Sequence, residues 1–137
     1  MREALDRYPR AAKKNFSRAA EYSGRMVERD AKRAAPVDQG SLRQSIDTYP
    51  KVMAATVEAG VKYAGAVEFG RKPGKQPPVQ SIERWAGKRG LDPFVIARHI
   101  GRFGTKPQPF MVPSVEKNKR GIIKEFETAL KKTLGEL

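Results

Sequence analysis

Ala35-Pro36-Val37-Asp38-Gln39-Gly40-Ser41-Leu42-Arg43-Gln44-Ser45-Ile46 is the stretch at which the chain changes from a helical to an extended pattern. Pro36 forces the residue before it out of the helical region, so a helix arriving from the N-terminal side must end near Ala34. The Asp38 side chain can accept from backbone N–H groups two residues on, and Gly40 accepts positive φ, so Asp38-Gln39-Gly40 supplies a turn. A strand is expected directly after it, carrying Leu42 and Arg43.

On the N-terminal side, residues 10–34 read as one long amphipathic helix. Phe16, Ala19, Ala20, Ser23, Met26, Val27, Ala31 and Ala34 recur at three- and four-residue spacings and mark its inner face. Lys14, Arg18, Glu21, Arg25, Glu28, Arg29 and Lys32 fill the other side, with Glu21/Arg25 and Glu28/Lys32 at a favourable spacing for ion pairs. Pro9 suits a first turn or a preceding loop. On the C-terminal side, Leu42 to Tyr49 and Val52 to Val61 are expected to pair around Pro50-Lys51, giving a half-buried β-hairpin over residues 41–61. Tyr63 to Phe69 reads as a short helix stopped by Gly70, with extension of the sheet as the alternative.

Residues 71–78 then form a basic, proline-rich loop without a packing pattern, expected to be mobile. Two helices follow within residues 79–104. Val79, Ile82, Trp85 and Ala86 mark the first, which Gly90 stops. Asp92-Pro93 opens the second as an N-cap followed by proline, with Val95, Ile96, Ile100 and Phe103 inward and Gly104 closing it. A last helix over residues 114–135 aligns Val115, Ile122, Phe126, Ala129, Leu130 and Leu134. The expected architecture is a single α+β domain: a long N-terminal helix and a C-terminal helix on a small antiparallel sheet, with an inserted helical pair.

The 137 residues suit one core. Without cysteine, disulfides and thiolate metal sites are excluded. No window approaches the roughly 18 apolar residues of a membrane span, and no signal peptide is evident, so a soluble protein without its own export signal is expected. The net charge of +13 is unevenly spread: about −1 over residues 34–70 against +7 over residues 71–109. A positive field concentrated on one part of the fold implies an acidic partner, protein or nucleic acid.

Catalytic constellations are wanting. His99 is the sole histidine, and no Gly-x-Ser-x-Gly elbow presents a serine. The carboxylates show no calcium-loop spacing, so no metal, no cofactor and no enzymatic activity are expected. Glu68, between Val67 and Phe69, requires a partner if buried. Three readings stand open: a bidentate pair with Arg43, a solvent-facing carboxylate, or a contact with a neighbouring subunit. The cations from Arg71 to Lys106, among them Lys72, Lys75 and Arg102, are candidates for contact with DNA or with an acidic protein ring. No helix-turn-helix spacing favours sequence-specific DNA binding, and the aromatics are not interleaved with cations as single-strand platforms require.

Three segments taken in order resemble the tailed-phage tail-completion proteins, also called minor tail or head–tail joining components, to which minor tail protein Z of lambda is similar. The first carries Pro36, Asp38, Gly40, Leu42 and Arg43. The second, Tyr63-Ala64-Gly65-Ala66-Val67-Glu68-Phe69-Gly70, matches a Tyr-Ala and Val-Glu-Phe-Gly pattern. The third, Lys106-Pro107-Gln108-Pro109-Phe110-Met111-Val112-Pro113, resembles a Pro-Phe-aliphatic-x-Pro element, with Val112 and Ser114 where Arg and Ala are frequent. The resemblance covers roughly residues 10–135, and the helical pair resembles an insertion found in some members. It implies a virion structural protein of the neck or tail end, assembled in the host cytoplasm as a homomeric ring. Its neighbours would be head-closure or connector proteins and tail terminator or tube proteins, with nonspecific contact to DNA in the channel. The other reading of the charge is a basic nucleic-acid-binding accessory protein.

Overall fold

The computed structural model describes residues 2–37 and 40–135, so Asp38 lies outside the described residues. The elements run α1 (Arg2–Ala34), α2 (Ser41–Ser45), β1 (Ile46–Lys51), β2 (Ala54–Ala59), α3 (Ala64–Phe69), a 3₁₀ turn (Val79–Ser81), α4 (Glu83–Lys88), α5 (Pro93–Phe103) and α6 (Met111–Gly135). Helices α1 and α6 pack along each other, and the antiparallel β1–β2 hairpin lies on another side of α1. This is the expected mixed α+β architecture, with long terminal helices on a two-stranded sheet.

Four boundaries differ from the sequence reading. Helix α1 begins at Arg2 and passes through Pro9. The hydrogen bond that proline cannot make falls in a solvent-exposed stretch, where water can serve the freed carbonyl. Ser41–Ser45 is a helical turn, so Leu42 and Arg43 do not lie on a strand. The segment has no β-branched residue and contains three good helix formers, Leu42, Arg43 and Gln44. The hairpin is accordingly shorter, pairing Ile46 with Ala59 through Lys51 with Ala54, and turns at Val52-Met53 with Met53 at φ 56°. Helix α6 starts at Met111, placing Pro113 in its first turn, where a missing N–H costs nothing.

The apolar centre is Ala31, Ala35, Leu42, Ile46 and Phe110, backed by Val57, Ala59, Val61, Ala64, Val67 and Met111. It gathers the end of α1, the turn after it, the hairpin, α3 and the start of α6. Ala34, expected inside, is exposed, while Phe16 and Met26 are half-buried. Gly24 lets the hairpin approach: a Cβ there would stand 2.6 Å from Thr48 Cγ2 and 3.3 Å from Ala55 Cβ.

Glu28, assigned to the outer face, is instead buried against β1. Its carboxylate accepts from Thr48 Oγ1 at 2.6 Å, Lys32 Nζ at 2.7 Å and Arg25 at 3.0 Å. Burial pushes this carboxyl up, but the bonds from Lys32, Thr48 and Arg25 outweigh it and hold the pKa at about 2. The α1–α6 contact is likewise polar. Asn118 donates to buried Asp30 at 2.7 Å, and Asn15 donates to Thr133 at 3.2 Å, while the Phe16 and Phe126 rings stack at 6.0 Å. The Asn118 bond is the main cause of a lowered Asp30 pKa, opposed by burial.

On α6 the buried positions are therefore Ser114, Asn118, Ala129 and Thr133. Of the expected stripe, Ala129 is buried and Ile122 and Phe126 are half-buried, while Val115, Leu130 and Leu134 are exposed. A shallow groove lined by Phe16, Ile122, Ile123, Phe126 and Leu130 results on the surface.

The 3₁₀ turn, α4 and α5 pack chiefly on one another as a small lobe. Ala86 and Ala97 are buried within it, and Asp92 caps α5 by accepting from Phe94 N–H at 2.8 Å. Val95 and Phe103, expected inward, face out. With one small helical pair to pack against, α5 covers only the face centred on Ala97. The loop before the lobe is pinned rather than unpacked: Gly74 N–H donates to the Gly101 carbonyl at 2.7 Å, and Pro77 is buried.

Candidate assembly site

Helix α6 opens with backbone N–H groups that have no partner within the helix. Phe110, Met111 and Val112 direct theirs at one carboxylate, that of Glu68, at 2.7, 2.9 and 2.8 Å. Glu68 is only 6% exposed, at the end of α3, and thus caps a helix that begins more than forty residues later. Burial pushes its carboxyl up, but the three backbone bonds win and hold its pKa below the ordinary value, so it stays charged at the positive end of the helix dipole. Neither the Arg43 pair nor the solvent-facing reading holds. Arg43 donates to the Ala35 carbonyl at 3.4 Å, and its Nε has no hydrogen-bond partner among the described residues. A carboxylate this buried and this well supplied with donors is not available to a neighbouring subunit.

Two glycines frame the exit from this cap. Gly70 (φ 73°) ends α3 with the Thr105 carbonyl and Pro107 so near that a side chain would collide with them. Gly104 (φ 71°) ends α5 against the Arg71 carbonyl, in contact too close for any Cβ. Between them Arg71 and Thr105 exchange two backbone hydrogen bonds, of 3.1 and 2.9 Å, as an isolated antiparallel bridge. The lobe is joined to the body through this bridge, the neck of the molecule, with Gln108 N–H also donating to the Val67 carbonyl at 2.8 Å.

Beside the bridge lies an open cleft of about 580 Å³, whose lining includes Phe69, Arg71, Lys72, His99, Phe103 and Lys106. Phe69 is 74% exposed and Phe103 60% exposed. His99 packs on Phe103 at 4.7 Å between ring centres, and the Arg102 guanidinium lies over the same ring at 5.3 Å. No acidic side chain is among the described lining residues.

The structure thus gathers Arg71, Lys72 and Lys106 at one opening, adds Arg102 at its edge, and leaves Lys75 exposed but outside the lining. Of the remaining motif residues, Leu42 and Phe110 belong to the core, Pro36 is half-buried after α1, Gly40 is left-handed at the start of α2, and Tyr63, Pro109 and Pro113 are exposed. His99 and Phe103 were not assigned to this site from sequence. Their i,i+4 spacing, with Arg102 adjacent, places them on one helix face, and that was the available signal.

The body around the Glu68 cap is a helix-and-hairpin scaffold, and the cleft beside it presents cations and phenyl rings to solvent. The family model described as "Bacteriophage HK97-gp10, putative tail-component" matches residues 1–70, half of the chain. The protein belongs to this HK97-gp10-like family of bacteriophage tail components, which places it among virion structural proteins and implies a non-enzymatic role. The matched region ends at Gly70, where the basic lobe begins, rather than reaching residue 135. No curated protein and no solved structure matches the chain. Among the described residues no helix is long and apolar enough to cross a membrane.

Proposed function

We propose that the protein completes the head-proximal end of the tail, assembling as a homomeric ring that joins the tail to the head connector. The observation that carries the reading is membership of a phage tail-component family across the α1–hairpin–α3 body. Two surface features support it. A closed ring needs heterologous contacts, in which one patch of each copy meets a different patch of the next. The molecule offers dissimilar patches for them, an apolar groove between α1 and α6 and the exposed Tyr49, Val52 and Met53 at the hairpin end, and leaves the basic cleft at the lobe free for another partner. Helix α1 packs on both α6 and the hairpin, so the groove and the hairpin end are held in a set relation.

The test is electron microscopy of the purified protein, alone and with assembled tails, at near-physiological salt. Rings, or added density at the head-proximal end of tails, are the expected result. A monomer that ignores tails and binds duplex DNA tightly would overturn the reading in favour of a nucleic-acid-binding role. Charge reversal at Arg71, Lys72 and Lys75, all on the surface or partly so, is expected to leave the fold intact and to block head–tail joining in phage assembly. Normal joining by that variant would sink the assigned role of these cations.

A further inference from the structure

We infer that the cleft at the neck is a peptide-docking site for an acidic segment bearing an apolar anchor, contributed by a different virion protein. The identity of the partner as a virion protein rests on the assembly reading above; the chemistry of the site does not. Three features of the cleft set that chemistry.

The first is charge. Arg71, Lys72 and Lys106 line the opening, and Arg102 stands at its edge over Phe103. No acidic side chain is among the described lining residues, and Glu68, next to Phe69 in the chain, is engaged by three backbone N–H groups, so it does not neutralise them. A peptide carrying Asp or Glu would meet uncompensated cations.

The second is the pair of phenyl rings. Phe69 and Phe103 are among the most exposed large apolar side chains of the molecule, and both line this same cleft. Phosphate groups would gain nothing from them, and a duplex keeps its bases stacked and out of reach. An aliphatic or aromatic side chain seated between the rings would remove them from water, the usual anchor of a peptide interface. This favours a protein segment over a nucleic acid.

The third is the balance of charge in the chain itself. With 28 basic and 15 acidic residues, a second copy would bring surplus positive charge to an already positive cleft. Two of its exposed acids, Glu21 and Asp47, already face Arg25. Like charges across an interface are unfavourable, so the occupant is a different protein and not the neighbouring copy.

The experiment uses the full-length chain and two fluorescent probes of equal charge: a short Asp/Glu peptide with a central Leu-Phe pair, and the same peptide with Ser-Ser in its place. The anchored peptide should bind about tenfold more tightly, the order expected from burying one or two apolar side chains. Amide and ring NMR signals of Phe69, His99 and Phe103 should shift on binding. In the Phe69→Ser/Phe103→Ser double variant, whose substituted positions are exposed enough to leave the fold unchanged, the two peptides should bind alike. Equal affinity of both peptides for the wild-type chain, shifts confined to other surfaces, or displacement of the anchored peptide by a duplex of equal charge would each overturn the assignment. The two proposals can fail separately. Phage carrying the double variant that still form rings and join heads to tails overturn the cleft and leave the ring. A wild-type chain that binds the anchored peptide at the cleft, yet neither forms rings nor meets tails, upholds the cleft and overturns the ring.

Discussion

Three buried carboxylates, Glu28, Asp30 and Glu68, are each held charged by donors reaching them from elsewhere in the chain. Glu68 is the most consequential, since its removal would leave the N–H groups of Phe110, Met111 and Val112 without an acceptor at a helix start that carries core residue Phe110. Glu68→Ala is expected to destabilise the fold by about 2–4 kcal/mol, because bonds to a charged acceptor are lost and buried donors are left unmade. Glu68→Gln should be milder, keeping one oxygen but turning an amide NH₂ toward the helix; urea unfolding of both variants checks the order. All three carboxyls have folded pKa values below their ordinary ones, 4.5 for Glu and 3.8 for Asp. Their stabilisation is therefore present in full above about pH 4.5 and is lost as pH falls toward the Glu28 value of about 2. Unfolding midpoints measured from neutral pH downward should be flat and then drop across that window. The Glu28→Gln variant should show a shallower drop, and an unchanged slope would count against the assignment.

Each packed element shows which part of its placement depends on local sequence and which on distant partners. Helix α1, the existence of a hairpin, the Gly70 stop and the Asp92-Pro93 start were legible because propensity, spacing and capping act within a few residues. The inner face of α6 was legible only at Ala129, because an apolar stripe was sought where Ser114, Asn118 and Thr133 pack instead. Their burial is tolerable only through acceptors and donors on α1 and within α6, which no periodicity reveals. The Glu68 cap was half legible: the need for a partner could be read from its apolar neighbours, but not that the partner would be bare backbone. Of the candidate site, the cations stood out in sequence, whereas the phenyl rings that give the cleft its second property come from two segments that only the neck brings together. At the helix–hairpin contact a further test is available. Gly24→Ala should raise the helix propensity of α1 by about 1 kcal/mol. Its Cβ would meet Thr48 Cγ2 at 2.6 Å, and Thr48 is tied to Glu28, so overpacking of about 1–3 kcal/mol should win. A lower melting temperature is the expected outcome, and a higher one would show that the hairpin can yield.

Taken whole, the molecule separates a near-neutral central part, residues 34–70, from a strongly basic lobe and neck, residues 71–109, on a chain with net charge +13. Such a charge predicts weak binding to any DNA, falling steeply with added salt; binding that persists at high salt would point to a dedicated nucleic-acid surface. The neck has a further consequence. Arg71 and Thr105 are direct hydrogen-bonded neighbours, so the chain leaves the body and returns to it at a single point. Replacing residues 72–104 by a short Gly-Asn turn should leave the remaining protein with cooperative unfolding and the α1–α6 pairing intact, as circular dichroism and melting would show. Loss of cooperativity would reveal that the lobe helps to hold the body together. With its ends so placed, the lobe is a cassette: it can be exchanged for another of different surface without rebuilding the scaffold, so that one tail-component body can acquire new partners by a single graft.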